Sequence, residues 1–323
     1  MVKNMKCKIC NNSNENKMYE VKEMMFGFRD KFTYFQCSKC GCLQISEFPV
    51  DMSKYYPSNY YSFRLPLLNK SKNPMKNLIR IKRDNYAIFN KGVFGKIIYK
   101  FFPIETLRML SRFHPTKETA ILDVGCGNGA FLYRLREIGF KHLLGIDPYI
   151  KEDIEYENEL KILKMSIHNI EDKWDIAMFH NSFEHIPDPL DMLQSISRLL
   201  TKGGVCLIRI PIVSSYAWEH YGVNWVQLDA PRHFFLHSIE SITILAEKVN
   251  LSLEEIVYES TDFQFWGSEQ YMKNIPLTDA YSYSVSPSNS IFSNGEIAVF
   301  KQKAKELNLK NRGDACAFFL RKN

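Results

Sequence analysis

The sequence predicts an α/β protein with a mostly parallel, Rossmann-like sheet, preceded by a small metal-binding module. In residues 118 to about 212, short apolar runs alternate with amphipathic patterns, as in successive βα units. Near the N-terminus, two C-x-x-C pairs are typical of a metal site. We therefore divide the chain into a zinc-binding module (1–62), a basic helical segment (63–115) and an α/β domain (116–323).

The α/β domain is predicted to contain seven strands and four principal helices. Five strands precede position 212, in TAILDV, HLLGID, KILKMS, WDIAMFH and VCLIRIP. Amphipathic helices are predicted in GAFLYRLREIGF and in PLDMLQSISRLL, the second ended by Gly203 and Gly204. Later helices are predicted in SIESITILAEKVN and NGEIAVFKQKAKELNL, and later strands in LSLEEIVYES and ACAFFLRK. We expect helices on both faces of the sheet and an antiparallel last strand.

Charge and apolar content limit the possible locations and partners. The N-terminus lacks the apolar core of a signal peptide, and no run of about 18 apolar residues occurs, so we expect a cytoplasmic protein. Between Phe63 and Pro115 there are twelve Lys or Arg and two acidic residues. Such a segment typically faces phosphates, anionic lipid or nucleic acid. Residues 86–103 within it can lie on an anionic membrane or pack as a helix on the α/β domain.

The cysteines near the N-terminus predict a structural zinc site. Cys7 and Cys10 form one pair, and Cys37 and Cys40 form another. Each C-x-x-C turn delivers two thiolates, and four soft ligands complete a tetrahedral site with no open position. Cys42 is a spare that either replaces a ligand or is simply buried.

A glycine-rich turn between the first strand and its helix predicts a ligand site. Gly125, Gly127 and Gly129 allow unusual backbone dihedrals and close approach of a ligand, and the helix start is expected to offer free N–H groups to a carboxylate. The spacing is neither that of dinucleotide-binding loops nor that of a P-loop. Asp147 ends the second strand, 24 residues after Asp123, where a carboxylate accepts hydrogen bonds from ribose hydroxyls.

Together, ILDVGCGNGAFL, GIDP and the run from WDIAMFH through FEHIPDP to VCLIRIP resemble the ordered motifs of class I S-adenosylmethionine-dependent methyltransferases. The resemblance covers about residues 118 to 212. It implies S-adenosylmethionine as cofactor, with Asp123, Gly125, Gly127 and Gly129 at the methionine end. It also implies that Asp147 holds the ribose and that Ser166 and Ile167 flank the adenine.

The cysteine module makes the resemblance more specific, to one group of methyltransferases. FQCSKCGCLQ followed by YYPSNYYSF is similar to the module of sugar methyltransferases, including the C-methyltransferases of deoxysugar pathways. This implies a methyltransferase acting on a sugar, in particular a nucleotide-linked one, in polysaccharide or glycosylated-metabolite biosynthesis.

Candidate catalytic residues follow the fourth strand. Methyl transfer to a hydroxyl needs alignment and often a general base. His180, Glu184 and His185 lie in FHNSFEHIPDP, and His185 is the first candidate for the base. His233 is an alternative base. A purely structural role for the EHIPDP run stays open.

Candidate substrate contacts lie in the loop YAWEHYGVNWVQLDAPRHFFLHS. Trp218, Tyr221 and Trp225 are candidates to stack on a sugar or base, and Arg232 is a candidate to meet a phosphate. The aromatic residues can equally form core, and Asp229, Arg232 and His233 can equally form a buried hydrogen-bonded cluster.

The sequence leaves two further functions open. An RNA methyltransferase would use the zinc module and the basic segment to hold nucleic acid. We favour it less because neither an N/D-P-P-Y motif nor a cysteine-nucleophile motif occurs. A non-catalytic cofactor-binding scaffold is the other possibility. The sequence leaves the oligomeric state and the atom that receives the methyl group undetermined.

Overall fold

The computed structural model describes residues 5–57 and 73–323. Contacts divide these residues into two compact units. The first unit contains residues 5–57, 181–197 and 206–323, and the second contains residues 73–180 and 198–205. The segment SNYYSF of the tyrosine-rich run and the 62/63 boundary lie outside the described residues. The division into 1–62, 63–115 and 116–323 stays a prediction.

The regular elements are named in chain order. The strands of the described residues are β1 (Lys17–Lys22), β2 (Lys31–Gln36), β3 (Leu43–Ile45), β4 (Ile121–Val124), β5 (Leu143–Ile146), β6 (Ile154–Glu155), β7 (Lys161–Leu163), β8 (Trp174–His180), β9 (Leu200–Pro211), β10 (Phe235–Leu236), β11 (Leu251–Tyr258) and β12 (Ala315–Lys322). The α-helices of the same residues are α1 (Pro74–Phe89), α2 (Val93–Phe101), α3 (Glu105–Arg108), α4 (Ala130–Glu137), α5 (Pro189–Leu199), α6 (Tyr216–Tyr221), α7 (Ile239–Lys248), α8 (Phe263–Met272) and α9 (Asn294–Leu309).

The larger sheet has the strand order β11-β12-β9-β8-β4-β5-β7-β6. β4 is parallel to both β5 and β8, and β5 is parallel to β7. At one end β11 and β12 are antiparallel, and at the other end β6 is antiparallel to β7. The sheet confirms the predicted Rossmann-like fold with mostly parallel strands and an antiparallel end.

Apolar patterning explains why β4 and α4 form the centre of the second unit. All four residues of β4 are buried, as expected for a parallel strand covered on both faces. α4 buries Leu132, Tyr133 and Leu135, which recur at helical spacing. The chain leaves this helix through Gly139, whose φ of 100° is rarely adopted by other residues.

One predicted helix end is wrong. α5 ends at Leu199, and Gly203 and Gly204 lie within β9 instead of stopping the helix. A Cβ at Gly204 would lie 2.9 Å from the carbonyl oxygen of Thr201. Gly204 therefore permits a close backbone approach and Gly203 adopts a positive φ of 75°, both at the start of a strand whose apolar run begins at Val205.

A smaller sheet in the first unit has the order β1-β2-β3-β10, and its neighbouring strands are antiparallel. β10 comes from the later part of the chain and pairs Phe235 with Gln44 and Leu236 with Leu43. Large buried side chains pack beside this sheet, including Tyr34, Trp225 and Phe265. Every α-helix in the described part of the chain is too short or too polar to cross a bilayer.

Candidate functional site

The glycine loop, residues 125–129, joins β4 to α4 in the second unit. Its three glycines have φ values of 71°, 55° and 74°. At Gly129 a Cβ would also lie 2.2 Å from Cδ1 of Ile162, so glycine is needed there for conformation and for packing.

Asp147 lies immediately after β5 and is held against this loop. Its Oδ2 accepts a hydrogen bond from the Gly127 amide at 2.9 Å, and its Oδ1 accepts one from the Tyr149 amide at 2.8 Å. Burial raises the pKa of the Asp147 carboxyl, although the two amides act in the opposite direction. The structure therefore brings Asp147 and the glycine loop together in a fixed orientation.

The amides of the three glycines are used within the turn, whereas the predicted role of the helix start stays a prediction. Gly125 donates to the carbonyl of Ile146 at 2.8 Å, and Gly129 donates to the carbonyl of Cys126 at 3.0 Å. Gly127 donates to Asp147. The tight turn consumes these donors itself, so they are not offered to a carboxylate.

Asp123 on β4 is the unsatisfied group of this region. It is 2% exposed, and its Oδ1 has no hydrogen-bond partner among the described residues. Burial, and then the charge of Asp147, raise the pKa of Asp123 to about 7. A buried carboxylate oxygen without a donor is a ready acceptor for a cationic ligand or for a ligand donor.

The other cofactor and catalytic candidates of the second unit have mainly protein contacts. Ser166 accepts a hydrogen bond from the His168 amide at 3.4 Å and begins a short 3-10 turn. Ile167 is 2% exposed. His180 ends β8, with its ring centroid 4.5 Å from that of Phe131. The structure places these residues without testing their predicted roles.

In the first unit, the side chains of Cys7, Cys10, Cys37 and Cys40 form the cysteine cluster. The four Sγ atoms lie within 4.8 Å of one another. The Cys7–Cys40 and Cys10–Cys37 Sγ distances are 3.6 and 3.4 Å. Tetrahedral zinc with Zn–S bonds of about 2.3 Å requires Sγ separations of about 3.8 Å, so the cluster fits the ion closely.

The two C-x-x-C turns are built alike. The residues that follow the second cysteine of each pair, Asn11 and Gly41, have positive φ values of 62° and 70°. Their amides donate to the carbonyls of Cys7 and Cys37, both at 2.9 Å. Asn and Gly are the residues that adopt this conformation at lowest cost, which explains their presence here.

Hydrogen-bond donors also surround the sulfur atoms. The Ile9 amide and the Gln44 side chain approach Cys7 Sγ at 3.4 and 3.1 Å. Such donors stabilise thiolates in a site that carries more negative charge than the ion neutralises. Cys42 is fully buried and lies outside the cluster, which accords with the alternative that it is simply buried.

A second buried group in the first unit, here called the Glu184 cluster, consists of Glu184, His185 and His233. Their ligand atoms also lie within 4.8 Å of one another. Glu184 is fully buried, and neither carboxyl oxygen has a hydrogen-bond partner among the described residues. Burial, followed by the charge of Asp229, raises the pKa of Glu184 to about 8.

Backbone carbonyls fix the two imidazoles of this cluster. His185 Nδ1 lies 2.8 Å from the carbonyl oxygen of Arg232, and His233 Nδ1 lies 2.7 Å from that of Gln227. Because a carbonyl only accepts, we assign the proton of each neutral ring to Nδ1, which leaves Nε2 with a lone pair. Burial lowers the pKa of His185 to about 3, with His233 the next cause, and burial likewise lowers the pKa of His233.

The Glu184 cluster is more widely spaced than the cysteine cluster. His233 Nε2 lies 3.9 Å from Glu184 Oε1. Ligand bonds of about 2.1 Å would bring such atoms to about 3.0–3.5 Å of each other. A metal ion would therefore have to draw these atoms a few tenths of an ångström closer together, whereas a proton needs no such movement.

The side chain of Arg232 is held by contacts within the protein. Its guanidinium is fully buried and pairs with Glu23 at 3.0 Å and with Asp229 at 2.5 Å. Burial raises the pKa of the Asp229 carboxyl, but the charge and the hydrogen bonds of Arg232 lower it by more. The pKa of Asp229 therefore lies below its usual value. The alternative of a buried hydrogen-bonded cluster describes this geometry, whereas a phosphate contact by Arg232 would require it to exchange partners.

The three aromatic substrate candidates are also buried. Trp225 is fully buried and donates through Nε1 to Asp314 at 2.9 Å, and the hydroxyl of Tyr221 donates to Glu269 at 2.9 Å. Trp218 is 8% exposed. All three belong to the core of the first unit. Their predicted substrate contacts stay predictions.

Sequence reasoning missed two members of this region. Glu23 accepts the Arg232 pair and the amides of Phe26 and Phe28, and no local pattern marks it. The hydroxyl of Tyr56 lies 3.2 Å from His185 Nδ1. Its position in the tyrosine-rich run was the available signal.

Comparison with known proteins identifies the family. Residues 95–256, half of the chain, match the family described as "Methyltransferase domain". The tRNA U34 carboxymethyltransferase of Actinobacillus pleuropneumoniae serotype 3 (strain JL03) is 27% identical over 190 residues, which are 53% of this chain and 58% of that protein. The protein of the same name from Haemophilus influenzae (strain PittEE) is 28% identical over 162 residues, 45% of this chain and 49% of that protein.

The chain thus spans about half the length of the curated relatives it matches. A solved SAM-dependent methyltransferase from Archaeoglobus fulgidus has 18% identity and a TM-score of 0.41, with 72% of this chain and 100% of that chain covered. From the family match over half of its length, the chain belongs to the methyltransferase-domain family, which confirms the predicted methyltransferase domain.

Proposed function

We propose that this protein binds S-adenosylmethionine at the glycine loop and transfers its methyl group to RNA. The observation that carries the cofactor site is the pair of backbone hydrogen bonds from Gly127 and Tyr149 to Asp147. Each carboxylate oxygen keeps a further lone pair. In the proposal these lone pairs accept the two ribose hydroxyls.

Asp123 fits the methionine end of the same cofactor. Its Oδ1 has no donor among the described residues, and the methionine moiety carries an ammonium group that supplies one. A cation beside Asp123 would keep the carboxylate ionised, against the effect of burial. When bound, the cofactor supplies an electrophilic methyl group on sulfur; the residues named here hold and orient it.

We assign the proton acceptor to His185. Among the three members of the Glu184 cluster it is the most exposed, although it is still partly buried, and its Nε2 carries the lone pair. Burial, and then the charge of His233, lower the pKa of this imidazole to about 3 and so keep it neutral, although the Arg232 carbonyl and Asp229 act in the opposite direction. In the proposal, Nε2 takes the proton that the acceptor atom loses as it is methylated.

Two observations support an RNA acceptor. The matched relatives are named as tRNA U34 carboxymethyltransferases. In addition, Lys6, Lys8 and Lys39 are exposed and interleave with the residues of the cysteine cluster, as in a surface that meets phosphates. The sugar acceptor implied by the cysteine module is the second candidate, because the four cysteines have the geometry that such a module requires.

Calorimetric titration with S-adenosylhomocysteine tests the cofactor site. We expect micromolar binding to the wild-type protein, loss of binding in Asp147→Ala, and wild-type binding in Asp172→Ala, an exposed aspartate of the same unit. A thermal melt of each variant separates lost contacts from lost folding. Equal affinity in all three proteins would overturn the assignment of Asp147.

Transfer of a labelled methyl group then tests the acceptor. The protein is incubated with labelled S-adenosylmethionine and either total tRNA or a set of nucleotide sugars. Label in tRNA that a nuclease releases supports the first candidate. Label only in the sugars overturns it in favour of the second. A protein that binds cofactor but labels neither would refute both acceptor classes and leave the cofactor site standing.

A further inference from the structure

Helix α2 carries an apolar face that no described residue covers. Val93, Phe94, Ile97 and Phe101 are 78%, 56%, 53% and 69% exposed. At about 100° per residue these four positions fall within an arc of about 100° on the helix surface. We call this arc the α2 face. So large a group of exposed apolar side chains on one short helix indicates an interaction surface.

The opposite side of α2 is the side that packs. A Cβ at Gly95 would lie 2.3 Å from the carbonyl oxygen of Lys82 and 2.8 Å from Cβ of Tyr86, both on α1. Gly95 is buried, so it marks the contact between the two helices. The helix is therefore held by α1 while the α2 face points to solvent.

Positive charge lies along the edge of this face. Lys96 and Lys100 are exposed and follow the arc on one side, and Lys91 precedes the helix. No carboxylate in the described residues lies within ion-pair distance of these three lysines. The acidic residues of the segment are used elsewhere: Asp84 pairs with Arg134 at 2.7 Å, and Glu105 accepts from the Tyr99 hydroxyl.

We propose that the α2 face binds the surface of a membrane that contains anionic lipid, with α2 lying parallel to the bilayer plane. The apolar arc would enter the boundary between headgroups and acyl chains while the lysines meet lipid phosphates. Aliphatic Val93 and Ile97 favour this occupant over RNA, whose protein interfaces are more polar and more strongly basic. The inference does not depend on which acceptor the enzyme methylates.

Vesicle co-sedimentation of the full-length protein tests the proposal. We expect binding to vesicles of phosphatidylcholine and phosphatidylglycerol in equal parts, and little binding to phosphatidylcholine alone. Phe94→Ser together with Phe101→Ser should weaken partitioning by about tenfold or more. Lys96→Glu together with Lys100→Glu should abolish the preference for anionic vesicles, most clearly at low salt.

The chain offers a matched control on another helix. Val299 and Leu309 of α9 are also exposed, at 63% and 85%, so Val299→Ser together with Leu309→Ser removes comparable apolar surface. This control should bind vesicles as the wild type does. Wild-type protein that ignores anionic vesicles, or equal loss in both double variants, overturns the proposal. A wild-type dimer that Phe94→Ser and Phe101→Ser convert to a monomer without vesicle binding would instead assign the face to a second copy of the chain.

Discussion

Two buried groups of potential metal ligands lie in the first unit, and they differ in how their polar atoms are satisfied. In the cysteine cluster, the Sγ–Sγ distances of 3.4 and 3.6 Å match a tetrahedral ion, and amide donors reach the sulfurs. In the Glu184 cluster, a nitrogen and an oxygen stand 3.9 Å apart, and the carboxyl has no donor in the described part of the chain. The cysteine cluster is arranged to bind a metal ion, whereas the carboxyl of the Glu184 cluster can still bind a proton.

The difference has an energetic consequence. Four thiolates brought together repel one another unless a cation neutralises them, so the cysteine cluster stabilises the fold only when it is loaded. The buried carboxyl of Glu184 destabilises the fold whenever it is ionised. The fold is therefore most stable when the cysteine cluster binds a metal ion and when Glu184 binds a proton or a ligand.

The largest expected effect comes from breaking the cysteine cluster. Cys37→Ser should lose zinc and unfold the module, with a cost of several kcal/mol or more, because the ion supplies much of the folding energy of such small sites. Metal content by plasma emission and a circular-dichroism melt measure this. Cys42→Ala is the matched control and should retain one zinc per chain. If Cys37→Ser, metal-free wild type and metal-loaded wild type all melt at the same temperature, the site is not a structural zinc site.

Removal of the proposed proton acceptor is expected to act on the rate and not on the fold. His185→Asn keeps a donor near the position of Nδ1 for the carbonyl of Arg232 and removes Nε2. We expect kcat to fall by about 10²–10⁴-fold on the acceptor that takes the label, with unchanged affinity for S-adenosylhomocysteine. His233→Asn, which likewise spares its carbonyl partner Gln227, is the paired variant. A large fall in kcat for His233→Asn alone would transfer the role to that residue.

The contrast between the clusters also predicts a dependence of stability on pH. The folded pKa of Glu184 is raised from the ordinary value of 4.5 to about 8, so the folded state binds the proton more tightly than the unfolded state. The associated stability is present below pH 4.5 and is lost as pH rises toward 8. Buried histidines lose stability in the opposite direction, below pH 6.5, so the window from pH 6.5 to 9 isolates the carboxyls.

Glu184→Gln tests this within that window. Glutamine has the shape of the protonated acid and does not ionise. At pH 6.5 the wild-type carboxyl is already ionised in the unfolded state, so the variant should be somewhat more stable there, and its advantage should grow as pH rises toward 8. At pH 9 the variant should be more stable by an amount on the order of a few kcal/mol, measured by urea denaturation. Asp123, whose pKa is raised to about 7, titrates in both proteins and cancels from the comparison. Parallel stability curves would refute the raised pKa of Glu184.

Local sequence patterns predicted the parts of the site that short segments encode. The C-x-x-C turns, each followed by a residue that tolerates positive φ, and the glycine loop with Asp147 are properties of short segments. Contacts between distant segments were not predictable. Glu23 reaches Arg232 across 209 positions, and β3 pairs with β10, without any periodic signal to join them.

Aromatic residues in the first unit show the same limit. Trp225 was a candidate for stacking on substrate because it lies in a long polar loop. In the structure it is fully buried and donates to Asp314, a residue 89 positions away. Sequence alone does not distinguish a loop that exposes its aromatic side chains from one that folds them into the core, because the difference depends on the distant segment just before β12 that supplies Asp314.

The smallest effect concerns the surroundings of the cysteine cluster and sharpens the comparison most. Gln44 donates to Cys7 Sγ at 3.1 Å and accepts from the Lys8 amide at 3.0 Å, so it holds one turn against one ligand. Gln44→Leu should keep the fold but lower zinc affinity by about 10–100-fold, the usual effect of losing an outer hydrogen bond to a metal ligand. Competition with a chromogenic chelator measures this, and Gln36→Leu, whose side chain does not contact a cysteine sulfur in the described residues, is the control. Equal affinity in Gln44→Leu and wild type would mean that the Sγ separations alone hold the ion, and the two clusters would then differ in spacing but not in the support that surrounds them.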